Sequence, residues 1–600
     1  MQKLRADGGD AGAPCNDTAR LRMNAGKKAI YRRPNTSEHA LPKELHPVLA
    51  RIYAARNVLS AEGLEHSLNR LYPPELLKDI GAAVDLLTSS IVGDQRILVV
   101  ADFDADGATS CAVALRALKA MGARHVGYVV PNRFKYGYGL TPKIVALAAE
   151  QSPDLLITVD NGISSIEGVR AAHERGMSVL ITDHHLPASE LPPADAIVNP
   201  NQPGDTFPSK NLAGVGVIFY VMMALRGHLR QRGWFSNGDR KEPNLAQLLD
   251  LVALGTVADV VTLDHNNRIL VRQGLARISR NRMCAGIRAL LRASGRVQHR
   301  ITSTDLGFFV GPRLNAAGRL EDMSLGIDCL LTDDDAAAEE MAQRLDRLNH
   351  ERRTIESDMQ TQALKAVDTL RLTADLPKGL CLFDERWHQG IIGLVASRVK
   401  ERVHRPVIAF APAGEDELKG SARSIPGLHI RDTLDSLAAR HPDLLYKFGG
   451  HAMAAGLSLE RTKYDAFCQA FEQEVDLQLS DEDLEDRIIS DGELTANELT
   501  LELAGLVRAG GPWGQGFPEP LFDGEFDILE RSVVGDKHLK MTVRAHDQAR
   551  AVSAIAFNHA PDGEPPDWSR AHVAYKLDVN EYQGYASLQL IIQYMEPAEP

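Results

Sequence analysis

Acidic side chains stand at recurring places along this chain, each just after a run of apolar residues. Asp102, Asp104 and Asp106 follow "ILVVA", Asp160 follows "LLITV", Asp183 with His184 and His185 follows "VLIT", and Asp259 follows "LVALGTVA". One such acid is commonplace as a helix cap or turn residue. Several groups in one region ask for a common cause. Clustered carboxylates repel one another and persist together when a cation neutralises them. A set made mostly of carboxylate oxygen with one or two imidazoles suits Mn²⁺ or Mg²⁺ better than a thiolate-loving ion. With this many acids, two ions are expected rather than one. Such a pair, about 3.5–4 Å apart, activates water and clamps the oxygens of an in-line displacement at phosphorus, which predicts phosphoester or phosphoanhydride hydrolysis.

The elements that must position these groups alternate strand and helix. "RILVVADFDADGATSCAVALRALKAMG" predicts a buried strand over Ile97 to Ala101, an acidic loop and a helix from near Thr109. "HVGYVV" predicts a second strand, and "LTPKIVALAAE" a helix capped by Thr141 with Pro142 in its first turn. "DLLITVDNGISSIEGVRAAHERG" and "MSVLITDHHLP" repeat the rhythm. Such alternation implies a mainly parallel sheet with helices on both faces, and ligands gather beyond the carboxyl ends of its strands. Residues from about 210 to 330 read as mostly helical. The stretch from "DDDAAAEEM" to "VDTLRL", without Gly or Pro, predicts one long, largely exposed connecting helix. After Pro377 the rhythm restarts in "GLCLFDERWHQGIIGLVASRVKERVHRPVIAFAP", a second, smaller α/β domain. Beyond about residue 490, "LKMTVRA", "AVSAIAF", "HVAYKLDVNEY" and "ASLQLIIQYM" predict an antiparallel β barrel or sandwich.

At 600 residues the chain has room for about three or four domains. Its 44% apolar and 24% charged residues are those of an ordinary soluble globular protein. No apolar run reaches the ~18 residues of a membrane span, and the polar, Gly-rich N-terminus lacks the pattern of a secretory signal. The six cysteines lie far apart with no CxxC pair, which argues against a zinc site or a disulfide framework and fits a reducing cytoplasm. A formal net charge of −13 counts against a coat that binds nucleic acid by overall charge. It leaves room for a local basic channel, and Arg272, Arg277, Arg280, Arg282, Arg288, Arg292 and Arg296 either line one or form a solvated face.

The motifs "DFDADG", "VDNG", "DHH" and "TVADVV", in this order, resemble those of the DHH phosphoesterase superfamily, and "GGHAMAAG" at Gly449 to Gly456 resembles the motif of its associated second domain, DHHA1. "VPNRFKYGYGL", "GPRLNAAGRL", "WHQGIIGLVASR" and the β-rich C-terminal segment are similar to the bacterial single-stranded-DNA-specific exonucleases of that superfamily, from about residue 45 to the end. The resemblance implies metal binding by Asp104, Asp106, Asp160, His184 and Asp259. It implies catalytic roles for His185, Asp102, Asp160 and Asp259, with His185 facing the scissile phosphate or completing the second ion's shell. Arg313, Asn315 and Arg319 are then donors to phosphates, unless the arginines pair with acids across a domain interface. In the second domain His388, Arg423 and His451 are polar residues set in small or apolar motifs, and Gly449 and Gly450 let backbone N–H groups approach a phosphate. These are candidates for holding the 5′ end. Arg133, Phe134, Tyr136 and Tyr138 interleave charge and aromatics, for base stacking worth roughly 1–3 kcal/mol per base or for core packing.

The fold class that results is α/β: a parallel-sheet DHH domain, a long connecting helix, a smaller α/β DHHA1 domain and a C-terminal OB-like barrel. Expected limits are 1–45 for a disordered extension, then 46–330, 331–373, 374–482 and 483–600. The expected function is 5′ to 3′ exonuclease action on single-stranded DNA in recombination and repair, releasing 5′-mononucleotides with two Mn²⁺ or Mg²⁺ ions. Polarity and DNA preference come from the resemblance, as do single-strand-binding protein and a repair helicase as partners. A cytoplasmic monomer, off the membrane, is expected. The two α/β domains would form a cleft that admits one strand and excludes a duplex. One alternative is another DHH phosphodiesterase, acting on short oligonucleotides, cyclic dinucleotides or pyrophosphate, for which the C-terminal β module is superfluous. A non-catalytic DNA-binding replication scaffold is the alternative of another class.

Overall fold

The computed structural model describes residues 28–34, 40–132, 136, 139–236, 240–373, 376–535, 537–545, 550–560, 567–582 and 584–598. The chain forms two compact units, one built mainly from Glu356–Ile488 and the other from Arg32–Ile355 with Ile489–Pro600.

In the larger unit β1 (Ile97–Ala101), β2 (Val126–Val129), β3 (Leu155–Val159), β4 (Ser178–Thr182) and β5 (Ala196–Val198) form an all-parallel sheet in the order β2-β1-β3-β4-β5. Every residue of β1 and β3 is buried. Central strands covered on both faces need apolar side chains at each position, which is why these sequences run apolar without alternating. The helix after β1, α1 (Ala105–Ala120), begins earlier than the expected Thr109. Asp104 sets that start, its carboxylate accepting the N–H groups of Asp106 and Gly107, each at 3.0 Å. Thr141 caps α2 (Pro142–Ala149) as expected. Farther on, α3 (Gly214–Gln231), α4 (Leu249–Ala258) and α5 (Gly311–Leu320) supply the helical part of this unit.

The C-terminal strands β11 (Phe522–Val534), β12 (His538–Ala545), β13 (Val552–Ala556), β14 (Arg570–Tyr582) and β15 (Tyr585–Pro597) close a barrel in the order β11-β12-β13-β15-β14. The expectation of a wholly antiparallel module is corrected here, because β13 and β15 pair in parallel. An odd number of strands cannot alternate direction all the way round a closed ring. The barrel shares one apolar core with the parallel-sheet region, and Trp513 stacks on Tyr53 at 6.0 Å and on Phe517 at 5.1 Å. Beside this stack the buried Arg56 guanidinium donates to both oxygens of Asp491 at 2.7 and 2.8 Å. Disorder was expected over 1–45. Residues 1–27 and 35–39 lie outside the described residues, but Ala29–Arg32 form a strand. Arg32 donates to the buried Asp523 at 2.7 Å, so this part of the extension is ordered by an acid that needs a cation.

The long helix, α6 (Asp335–Thr373), lies where expected. It is less exposed than its charge suggested. Ala338, Ala342, Leu345, Asn349, Arg352, Glu356, Met359, Ala363 and Val367 are buried, a stripe spaced by three and four residues. In the smaller unit β6 (Leu380–Phe383), α7 (Ile392–Val403), β7 (Val407–Pro412), β8 (Glu417–Arg423), β9 (Lys447–Gly450) and β10 (Ala454–Glu460) build a sheet in the order β9-β10-β8-β7-β6. Only the β6 and β7 pair, bridged by α7, is parallel. Among the described residues no helix is long and apolar enough to cross a membrane, and the described cysteines are free.

Candidate metal centre

The acids singled out by the sequence converge at the carboxyl ends of β1, β3 and β4. Ligand atoms of Asp102, Asp104 and Asp160, of Asp106, His184 and Asp259, and of Asp160, His184 and His185 lie in three groups, each within 4.8 Å. Asp160 and His184 each belong to two of them. Asp259 arrives differently, as the residue that ends α4 rather than a strand.

Backbone geometry aims each group. Asp106 is held at the N-terminus of α3, where it accepts the N–H groups of Gly214 at 2.6 Å and Val215 at 3.0 Å. Asp160 takes a left-handed conformation, φ 63°, which Asp tolerates better than most residues. Its N–H donates to the Thr182 carbonyl at 3.0 Å. A Cβ on Gly214 would come within 2.6 Å of the Asp160 Cβ, so only glycine lets α3 start this close. Val260, directly after Asp259, also has positive φ, 63°. For a β-branched residue this is strain, of order 1–3 kcal/mol.

The "DHH" residues divide their work. Asp183 Oδ2 accepts the Ile163 N–H at 2.9 Å, while Oδ1 accepts the His184 N–H and the His185 ring Nδ1, both at 2.7 Å. Burial would raise the Asp183 pKa, but the His185 charge and hydrogen bond pull it down to about 2. His185 responds in the opposite sense: burial lowers it, and Asp183 more than compensates, lifting it to about 9. His184 points its Nε2 at Asp160 Oδ1 (3.1 Å) and Asp259 Oδ2 (3.5 Å). The sequence placed Asp183 among the clustered acids without a role of its own, and it did not single out Asn199 and Asn201, whose side chains donate to the carbonyls of His185 at 2.9 Å and His184 at 2.6 Å. Polar residues directly after a strand were the available signal.

A divalent cation fits this donor set. His184 Nε2 and Asp259 Oδ2 are buried and make no hydrogen bond among the described residues, the condition of ligand atoms that face an ion. Burial, then repulsion from neighbouring acids, drives Asp106 and Asp259 up to about 7 and Asp160 well above its ordinary value. Carboxylates so crowded either keep protons or share a cation.

Of the expected phosphate donors, Arg313 takes the acid-paired arrangement that was the alternative. Its Nε and Nη2 contact Asp346 at 2.9 and 2.7 Å and its Nη1 donates to the Phe309 carbonyl at 2.6 Å, so the guanidinium is neutralised and buried. Asn315 turns its Oδ1 to the Ala105 N–H at 2.8 Å and so props the acidic loop. Arg319 sits in the last turn of α5, half-buried. Arg133, Phe134 and Tyr138 lie outside the described residues, and Tyr136 packs on the apolar cluster around Leu140 and Ile144.

In the smaller unit Arg423 is half-buried, donates to Ser421 Oγ at 3.1 Å and to the Ala422 carbonyl at 2.8 Å, and has no carboxylate partner among the described residues. Burial lowers its pKa. It pairs across the sheet with Ala454, whose carbonyl accepts the His451 N–H at 2.8 Å. Gly450 (φ 151°) leaves no room for a Cβ, which would lie 2.4 Å from the Ala454 carbonyl oxygen, whereas Gly449 opens on free space. His388 accepts the Gly390 N–H at 3.1 Å, and Gly393, in the first turn of α7, abuts the Arg423 guanidinium. Arg423 thus lies beside Gly393 and the Ala454 strand that carries the His451 contact, without a carboxylate partner among the described residues.

The chain matches three family models: the DHH family, N-terminal domain, over residues 96–256, the DHHA1 domain over 376–476, and the RecJ OB domain over 490–594. Sheet, acid cluster and matches together define a phosphoesterase of the DHH class. Within that class the chain belongs to the RecJ family. It is 52% identical over 573 residues to the single-stranded-DNA-specific exonuclease RecJ of Dickeya dadantii, covering 95% of this chain and 99% of that one. Against RecJ of Escherichia coli the identity is 50%, with 94% and 99% covered. The crystal structure of Thermus thermophilus RecJ in complex with Mn²⁺ superposes with a TM-score of 0.76 at 30% identity, covering 93% of this chain and 77% of that one. A structure of the same protein with Mg²⁺ gives 0.71.

Proposed function

We propose that this chain is a single-stranded-DNA-specific exonuclease that proceeds 5′ to 3′ and releases 5′-mononucleotides. In this reading two ions, Mn²⁺ or Mg²⁺, are held by Asp104, Asp106, Asp160, His184 and Asp259, with Asp102 beside them. The observation that carries it is the pair of buried, unbonded atoms His184 Nε2 and Asp259 Oδ2 among crowded carboxylates. It is supported by relatives, named as exonucleases of this kind, that match along nearly their whole length.

When bound, the ions supply Lewis-acid stabilisation of the charge that develops around phosphorus. The side chains do the rest. Asp183 fixes the His185 ring through Nδ1 and keeps it cationic, so Nε2–H is the donor assigned to a phosphate oxygen of the scissile link. The bond that breaks joins phosphorus to the 3′ oxygen of the terminal nucleotide, leaving the phosphate on the shortened strand. Asn315 holds the acidic loop in register. Arg319, with Arg133 and Tyr138, is assigned to the strand. Arg423, Gly449, Gly450, His451 and His388 are assigned to the 5′ phosphate, which supplies the anion that the half-buried guanidinium lacks. Domain limits at 46–330, 331–373, 374–482 and 483–600 belong to the same reading, as do monomeric, cytoplasmic action and single-strand-binding protein and a helicase as partners.

The test is digestion of labelled single strands blocked at the 5′ or the 3′ end, with and without Mn²⁺. Mononucleotide release that needs the metal and stops only at a 5′ block is expected. Release from 5′-blocked strands, or cleavage confined to dinucleotides, would overturn the assignment.

A further inference from the structure

The two helices that carry acids of the cluster each have a far end, and there a cavity of about 330 Å³ opens. Its lining includes Ala117 of α1, Asp250 and Leu251 of α4, and Arg277, Arg282 and Met283. At 1.5 Å per residue, Asp250 stands about 13 Å along α4 from Asp259, and Ala117 about 16 Å along α1 from Asp106. The cavity is therefore separate from the acid cluster.

The chemistry of its walls specifies a ligand. Most arginines of the 272–296 series are engaged elsewhere: Arg272 with the Ala509 carbonyl, Arg288 with Asp335, Arg292 with Glu339 and Arg296 with Asp305. Arg282 makes no side-chain hydrogen bond or salt bridge among the described residues. Arg277 makes none either, but its charge already acts on Asp250, where burial raises the carboxyl's pKa and Arg277 lowers it. The guanidinium of Arg116 also reaches the cavity, already held by the Leu330 and Leu331 carbonyls and Asp333. Opposite these charges Asp250, 1% exposed, accepts the Cys284 N–H at 2.8 Å through Oδ2, and its Oδ1 makes no hydrogen bond. Leu251, Met283 and Ala117 add an apolar wall.

A buried carboxylate reads paired N–H donors, and a guanidinium without a partner, as on Arg282, reads a phosphate. Guanine offers N1–H and its 2-amino group along one edge, a pair that adenine and thymine lack. The volume sits at the small end of the roughly 300–1,000 Å³ of ligand pockets, enough for one nucleotide and too small for a strand. We propose that this cavity binds a guanine mononucleotide, with Asp250 on the base edge, Arg277 balancing its charge and Arg282 on the phosphate.

Calorimetric titration of the full-length chain carrying Asp160→Asn and Arg423→Gln, in chelator, with dGMP, dTMP or inorganic phosphate, tests this away from any binding at the acid cluster or at the proposed 5′-phosphate holders. One dGMP per chain is expected, bound at least about tenfold more tightly than dTMP or phosphate. Adding Arg282→Glu should weaken it about tenfold or more, and Asp250→Asn should abolish the preference for guanine. Arg282 is exposed, so its variant should melt like the parent and carries the test if Asp250→Asn fails to fold. No dGMP binding, equal binding of dTMP, or affinity unchanged by Arg282→Glu would overturn the proposal.

Discussion

Buried acids in two regions of the larger unit are neutralised in opposite ways. Beside the barrel, Asp491 is gripped by Arg56, and Asp523 receives Arg32 at 2.7 Å, His572 at 3.2 Å and the Ser490 hydroxyl. Burial alone would raise the Asp523 pKa, yet these hydrogen bonds hold it well below the ordinary carboxylate range. In the acid cluster Asp106 is equally buried and Asp259 partly so, neither has an arginine or lysine partner among the described residues, and both rise to about 7. One region carries its own cations and is finished on folding. The other leaves the countercharge to come from solution, which is the mark of a working site.

Substitutions can break the comparison from either side. The largest effect is expected at the strand ends: Asp106→Asn or Asp160→Asn should cut metal-dependent nucleotide release by at least about 10³-fold, or about 4 kcal/mol of barrier at 1.36 kcal/mol per decade. Single-strand binding, followed by filter retention, should be largely kept. At the barrel the cost should fall on stability. Arg56→Ala leaves Asp491 buried and unpaired and should lower unfolding free energy by about 3–5 kcal/mol in urea titration, whereas an acid-cluster variant should not destabilise the chain. Asp183→Asn, which loosens His185 without removing a proposed ligand, should cost about 10–100-fold in turnover with Mn²⁺ affinity changed little.

The smallest effect is a pH dependence. Asp523 is depressed below its unfolded value of 3.8, so its stabilisation is complete above about pH 4 and is lost as pH falls further. His572 is raised above 6.5, first by its hydrogen bond to Asp523, so its contribution is present below that pH and is lost as pH rises through the folded value. Urea midpoints across pH should fall off on the acid side in the parent and flatten there in Asp523→Asn.

Local pattern carried much of this. Apolar runs placed β1, β3 and β4 and the acids after them, and the Thr141 and Pro142 pair located α2. The same pattern could not say which partner a side chain meets from far along the chain. Arg313 finds Asp346 and Asn315 finds the Ala105 amide, and no periodicity encodes either choice. Asp183 looked interchangeable with the other acids until its hydrogen bonds with the ring and backbone of His185 showed it anchoring that residue instead. The charge on α6 hid its buried stripe because Arg352 and Glu356 share the apolar face. The parallel pair in the barrel depends on strand number and closure, which a segment read alone does not contain.

The account's central claim is that the strand-end acids await divalent cations where the barrel acids do not. Equilibrium dialysis of the chelator-stripped chain against Mn²⁺ tests it most directly, counting ions bound per chain in the parent, in Asp160→Asn and in Asp523→Asn. Two ions are predicted for the parent and for Asp523→Asn, with one or both lost in Asp160→Asn. An Asp160→Asn chain that binds Mn²⁺ like the parent would contradict it.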